Sequence, residues 1–308
     1  MTSAAESDHS DPIDPIDQIE APYESGWNIV ASSVEGIGHL RTGMPCQDAH
    51  GFQVLPNGWL VATVADGAGS AERADVGSQT AVRIALEQLS RECSLIHDVS
   101  LNDSFLEPGS DAPMPEALRS LLGSVLEAVR AGLEDTAVQL DVAVRALATT
   151  LIVTIVSERW IAAVQVGDGA IVGLEEDGSV FAVTRLPDAE YANATTFICA
   201  SNAIDTAQWA FHVKENGLAG VAVFSDGLQR LALKLPEGDP HPPFFLPLFR
   251  FVAGLSSTDA TPEGKSAGTA QLEGFLRSPR ITERADDDLT LLIATHFRRA
   301  TMPADGQG

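Results

Sequence analysis

The chain has 308 residues, 44% of them hydrophobic, enough to bury a large core in one big domain or two ordinary ones. Its 43 acidic against 19 basic residues leave a net charge of -24, which excludes long-range attraction to nucleic acid or anionic lipid and favours a cationic or metal-bridged partner. Three unevenly spaced cysteines, Cys46, Cys93 and Cys199, contain no CxxC pair, so neither a disulfide framework nor a thiolate zinc site is indicated and a reducing compartment is expected.

Residues 1–24 carry Glu6, Asp8, Asp11, Asp14, Asp17, Glu20 and Glu24 without a single Lys or Arg, and Pro12 and Pro15 interrupt any helix. They read as a mobile acidic tail. The opening lacks the basic and apolar regions of a signal peptide, and no later stretch has membrane-spanning length, so a soluble cytoplasmic protein is expected. From Trp27 the pattern turns to strand: WNIVASSVEG, GFQVL and WLVATVA, the last two joined by a hairpin through Pro56, Asn57 and Gly58. Ala74, Ala81, Val82, Ala85, Leu86 and Leu89 then recur at helical spacing over about 72–94. A loop follows, and Leu118, Leu122, Val125, Leu126, Val129 and Leu133 predict a second amphipathic helix over 116–140.

Two long helices after three strands argue against a doubly wound pattern. The next block, ATTLIVTIV, WIAAVQV, GAIVGLE and SVFAVT, has turns at 157–159, 167–169 and 176–178, too short for parallel crossovers, and so predicts an antiparallel meander. GVAVFS ends at Asp226, a short helical DGLQRLALKL follows, and a Pro-rich stretch with His241 reads as a rigid surface loop. Two further helices and a last strand, LTLLIATHF, close the fold. Strands apolar on both faces must be covered on both sides, so the expected class is α+β, a four-layer α-β-β-α sandwich of two antiparallel sheets. The domain expected over 25–298 ends in a flexible tail over 299–308.

Four aspartates punctuate this order: Asp48 in MPCQDAH, Asp66 in VADGAGS, Asp226 in FSDGLQ and Asp287 in ADDDLTL. Each stands at a strand end or beside a glycine, where a side chain can project from a sheet edge; at Asp66 the Gly67 carbonyl can turn toward the same ion. If the four converge, neighbours about 4 Å apart repel by roughly 4 kcal/mol per pair at an effective dielectric near 20, so the cluster must protonate or bind cations. Oxygen ligands suit Mg²⁺ or Mn²⁺, and two such ions would activate a bridging water for attack on phosphorus without a nucleophilic side chain. A single Asp-Gly is an ordinary turn; the set of four is what carries the specificity. His50 reads as a packed core residue, and Thr149 and Thr150 as cross-strand neighbours.

The order of motifs resembles the metal-dependent serine/threonine protein phosphatases of type 2C. The matching pieces are GHLRTGMPCQDAH, VADGAGSAERADVGS, ATTL, VQVGDGAIV, EYANATTF, SDGLQRLA and DDLTLLIA, spread over about 27–297. It is most similar to a bacterial branch whose first motif carries Gln-Asp in place of Glu-Asp. The resemblance implies hydrolysis of phosphoserine and phosphothreonine on proteins by Asp66 and Asp48, with two Mn²⁺ or Mg²⁺ ions held by Asp48, Asp66, the Gly67 carbonyl, Asp226 and Asp287. It implies a third ion at Asp168, for which a GDG hairpin turn is the plain alternative.

Three departures stand out. Gln47 lacks the usual glutamate's charge, Gly43 replaces the phosphate-binding arginine, and Ala68 replaces a histidine that can protonate the leaving alcohol. Arg41 or His39 is expected to reach the phosphate instead. The expected partner is a phosphorylated protein opposing a serine/threonine kinase, with no nucleic acid, no membrane and a monomeric enzyme. The departures leave open a weakly active regulatory binder, and the chemistry leaves open a hydrolase of small phosphate esters.

Overall fold

The computed structural model describes residues 23–93, 113–186, 195–255 and 267–300. The acidic segment 1–22, most of the first interhelical loop, the start of the EYANATTF motif and the last eight residues lie outside it. In chain order the elements are β1 (Tyr23–Val34), α1 (Ile37–Thr42), β2 (Asp48–Val54), β3 (Leu60–Asp66), α2 (Ala74–Cys93), α3 (Glu116–Leu140), β4 (Leu151–Val156), β5 (Trp160–Val166), β6 (Ala170–Glu175) and β7 (Val180–Ala182). They continue with β8 (Gln208–Val213), β9 (Leu218–Phe224), α4 (Gln229–Ala232), β10 (Leu233–Lys234), β11 (Asp239–Pro240), α5 (Pro242–Ala253), α6 (Ala267–Leu276), α7 (Pro279–Thr282) and β12 (Leu289–Ala300).

Two five-stranded antiparallel sheets form the centre, one ordered β2-β3-β4-β5-β8 and the other β1-β12-β9-β6-β7. The period-2 alternation of strand side chains sorts the apolar residues into three layers. Leu60, Ala62 and Val64 of β3 meet Val221 and Val223 of β9 and Leu292 of β12 between the sheets. The alternate residues Val61 and Ala65 face outward to Ala81, Ala85, Leu122 and Leu126 of α2 and α3. On the other side Ala222 and Phe224 of β9 and Leu291 and Ile293 of β12 face Phe245, Phe249 and Val252 of α5 and Leu272 of α6. Each fully buried Val, Leu, Ile or Phe among them contributes roughly 1.5–3 kcal/mol, which is why the strands read as continuous apolar runs. The predicted α-β-β-α sandwich is the one observed.

Local expectations fared unevenly. The 56–58 hairpin forms, with the Leu55 amide donating to Trp59 carbonyl oxygen at 2.8 Å, and α3 spans the predicted residues. The meander breaks at 167–169. β5 pairs with β4 and β8, whereas β6 pairs with β9 and β7, so this short turn carries the chain from one sheet to the other. A turn's length forbids a parallel neighbour; it does not oblige the next strand to stay in the same sheet. β8 was not foreseen, because its half-buried run acquires strand character by pairing with β5. The Pro-rich stretch forms the short β10–β11 pair before His241, which precedes α5 as its N-cap; Pro242 and Pro243 open that helix, where a missing N–H costs nothing. Among the described residues no helix is long and apolar enough to cross a membrane.

Candidate metal centre

One end of the sandwich gathers the motifs, because β2 starts there, β3 ends there, β9 ends there and β12 starts there. Asp48 and Asp66 are direct cross-strand partners in the β2–β3 register. Like charges in that position oppose pairing, so the sequence accepts a local cost at this edge. The backbone of Asp66 is held from β4's approach: Thr149 Oγ1 donates to its carbonyl at 2.9 Å, and its own N–H donates to Thr150 Oγ1 at 3.0 Å. The two threonines therefore serve the acidic residue through its main chain. Next to it Gly67 bridges Thr149 and donates to the Gln47 carbonyl at 3.1 Å. A Cβ there would lie 2.7 Å from both the Gln47 and Ala74 carbonyl oxygens, so only glycine lets the loop pass.

From the other sheet comes Ser225, whose hydroxyl donates to Asp48 Oδ2 at 2.7 Å and accepts the Thr290 N–H at 3.0 Å. Asp226 opens a 3₁₀ turn (Asp226–Leu228) and lies near enough to Asp66 for its charge to act on that carboxyl. Burial pushes the Asp48 carboxyl up to about 7, against the Ser225 hydrogen bond and with added repulsion from Asp288 and Asp226. Asp226 is pushed up to about 6, first by burial and then by the charge of Asp168. Asp66 is raised well above the carboxylate range by burial and by Asp48 and Asp226. Oδ1 of Asp48, Oδ1 of Asp226 and Oε1 of Gln47 are buried without a hydrogen-bond partner. Buried acceptors of this kind are costly, and a hard cation is what satisfies them.

Asp287 is exposed and its carboxylate accepts the Asp288 N–H at 2.8 Å; its charge adds to the upward push on Asp66 and Asp226. Asp168 sits in the turn between the sheets, accepts from Thr195 Oγ1 at 2.6 Å and receives the Gln229 side-chain amide on its carbonyl. Because β5 and β6 are unpaired, the hairpin-turn explanation of Asp168 fails. Among the described residues no three His, Cys, Asp or Glu side chains already close around one point. Asp48 and Asp66 face each other across the strand pair, and ions such as Mg²⁺ keep several waters and take one or two carboxylates each.

Sequence reasoning missed Asp288. Only 3% exposed, it accepts from the Gly36 N–H at 2.7 Å, from His39 Nδ1 at 2.8 Å and from the Gln47 N–H at 2.6 Å. That one carboxylate ties α1, the start of β2 and the start of β12 together. The signal was the unbroken Asp286-Asp287-Asp288 run, in which neighbouring side chains of an extended chain must point opposite ways. His39 is thereby engaged, which leaves Arg41, exposed on α1, as the other phosphate candidate. Gly43 has a physical reason of its own: it ends α1 in the left-handed region at φ 70°, where other residues are disfavoured. His50 packs as expected, its Nδ1 2.8 Å from Ser33 Oγ, with burial lowering its basicity.

A profile of the family described as protein phosphatase 2C matches residues 35–277. The chain belongs to the protein phosphatase 2C family. This phosphatase is 33% identical over 276 residues to serine/threonine-protein phosphatase 3 of Escherichia coli (strain K12), covering 87% of the chain and 98% of that protein. Among solved structures it superposes on a bacterial serine phosphatase with a TM-score of 0.55 at 13% identity, covering 87% of this chain and 96% of that one. Stp1 from Staphylococcus aureus gives 0.53 at 13% identity over 94% and 99%. The catalytic domain of PstP, solved with 2 manganese ions, gives 0.51 at 17% identity over 89% and 99%. The structural likenesses establish the shared fold, and the family supplies the activity, metal-dependent hydrolysis of phosphoserine and phosphothreonine on proteins.

Proposed function

We propose that Asp48, Asp66, the Gly67 carbonyl, Asp226 and Asp287 hold two Mn²⁺ or Mg²⁺ ions, with Asp168 contributing to a third site. The supporting observation is the set of buried carboxylates that repel one another and present orphaned oxygens on one sandwich end. Divalent cations bound there supply charge neutralisation and an acidified water for attack on phosphorus. Asp66, with Asp48 opposite it in register and the charge of Asp226 acting on it, would serve both ions. Ser225 orients the Asp48 carboxylate, the two threonines fix the Asp66 main chain, and Arg41 offers a guanidinium to the substrate phosphate. Gln47 offers a neutral oxygen where a glutamate would add charge, which weakens the second site without emptying it.

The substrate is a phosphorylated protein made by a serine/threonine kinase, and the chain acts as a monomer. A net charge of -24 disfavours nucleic acid and anionic membranes, and the unpaired Cys46 and Cys199 suit a reducing cytoplasm. Purified protein with Mn²⁺ should hydrolyse an aryl phosphate and a phosphothreonine peptide, stop with chelator, and lose about 10³-fold or more in kcat in Asp66→Asn. Metal binding without turnover would instead assign the chain a regulatory role, and turnover of aryl phosphate alone a role on small esters.

A further inference from the structure

Near the acidic end in sequence, the protein carries a cavity of opposite character. It measures about 380 Å³, and Arg230, His241 and Arg284 converge on it above Leu231, Leu233 and Phe244. Among the described residues none of these three polar side chains has an ion pair or side-chain hydrogen bond. Elsewhere Arg83, Lys214 and Arg277 each reach a glutamate. Arg230 and Arg284 are exposed, so water screens their mutual repulsion, and an anion entering the cavity would meet both guanidinium groups at once.

Position ties the cavity to the hydrolytic end. Arg230 follows Asp226 by four residues and Arg284 precedes Asp287 by three. The two segments are packed backbone to backbone, since a Cβ on Gly227 would lie 2.2 Å from the Asp288 carbonyl oxygen. A phosphoprotein approaching this surface meets a net charge of -24, and these arginines offer the opposite sign beside it.

We infer that this cavity binds a second anionic side chain of the phosphoprotein substrate, a glutamate, an aspartate or another phosphorylated residue flanking the one hydrolysed. The inference rests on the phosphatase reading. An arginine fork matches carboxylate and phosphate alike, and the Leu231, Leu233 and Phe244 floor accommodates the aliphatic part of that residue.

Two measurements test it. Kinetics on three phosphothreonine peptides, with neutral flanks, with flanking glutamates or with a flanking phosphoserine, should give kcat/KM about tenfold higher for one or both anionic peptides, carried by KM. In Arg230→Ala/Arg284→Ala that ratio should fall to about one, and Arg230→Lys/Arg284→Lys should restore part of it. The better of the two anionic peptides tells carboxylate from phosphate. Separately, of two labelled peptides that cannot be hydrolysed, one glutamate-rich and one carrying a phosphonate in place of phosphoserine, at least one should bind the unaltered protein, and bind about tenfold more weakly to the double alanine variant, by fluorescence polarisation. Equal kcat/KM for all three peptides, a ratio unmoved by the double substitution, or unchanged polarisation would overturn the inference. Failure of the unaltered protein to hydrolyse aryl phosphate would sink the phosphatase reading instead, and the polarisation result would still decide the cavity.

Discussion

Asp288 and Asp48 lie equally deep, 3% and 5% exposed, at the same end of the same sandwich, yet their surroundings are opposite. Asp288 is met by three donors, two of them main-chain amides. Asp48 accepts from the Ser225 hydroxyl on one oxygen, keeps the other orphaned, and faces Asp66 across the strand pair. Burial of a carboxylate is a structural device when the protein completes its hydrogen bonds, and a binding device when the protein withholds them. The pattern in the sequence is the same in both cases, an aspartate at a strand boundary.

The sharpest way to break this contrast is to neutralise each residue in turn. Asp288→Asn puts an amide NH₂ against at least one of the three donors, so stability should fall by about 3 kcal/mol with or without metal, read from urea unfolding. Asp48→Asn removes repulsion, so in chelator its stability should equal or exceed that of the unaltered protein; a fall like that of Asp288→Asn would erase the distinction.

A pH series measures the same repulsion. Asp48 and Asp226 titrate near 7 and 6 in the folded chain, above an unfolded value of 3.8. Between those values the folded protein holds protons that the unfolded chain releases. Their contribution is therefore complete below about pH 4 and is lost as pH rises through 6 and 7, a drop on the order of a few kcal/mol. Taken in chelator as the difference between the unaltered protein and Asp48→Asn, the drop should shrink on adding Mn²⁺, because the cation replaces the protons. A difference that stays flat with pH would mean that these carboxylates do not repel.

Smaller effects sharpen the supporting shell. Ser225→Ala removes the 2.7 Å hydrogen bond that Asp48 receives from the facing sheet and should weaken metal affinity about tenfold by calorimetric titration, with thermal stability in chelator little changed. Arg41→Ala should raise KM for a phosphopeptide by a few-fold at nearly constant kcat; unchanged kinetics would remove Arg41 from the site.

Much of the architecture was legible because it depends on local periodicity. Leu60, Ala62 and Val64 against Val61 and Ala65 already show a strand covered on both faces, and the apolar spacing of α3 marks both its ends. The gathering of Asp48, Asp66 and Asp226 at one end was legible for a related reason: an aspartate at the boundary of an apolar strand stands where the sheet meets its edge. Asp168 and Asp288 were harder. The turn at 167–169 looks like a hairpin until one knows that β5 and β6 lie in different sheets, and Asp288 looks like one more member of an acidic run until its three donors arrive from Gly36, His39 and Gln47.

Apart from β8 and the short β10–β11 pair, the chain's order of strands, helices and carboxylates, and with it the family and its chemistry, was determined by the sequence alone, because side-chain period and turn composition are properties of neighbours. Which carboxylates are satisfied and which are left wanting was decided only by the tertiary structure. That distinction depends on hydrogen-bond donors brought from residues up to 252 positions away, and no local pattern encodes them.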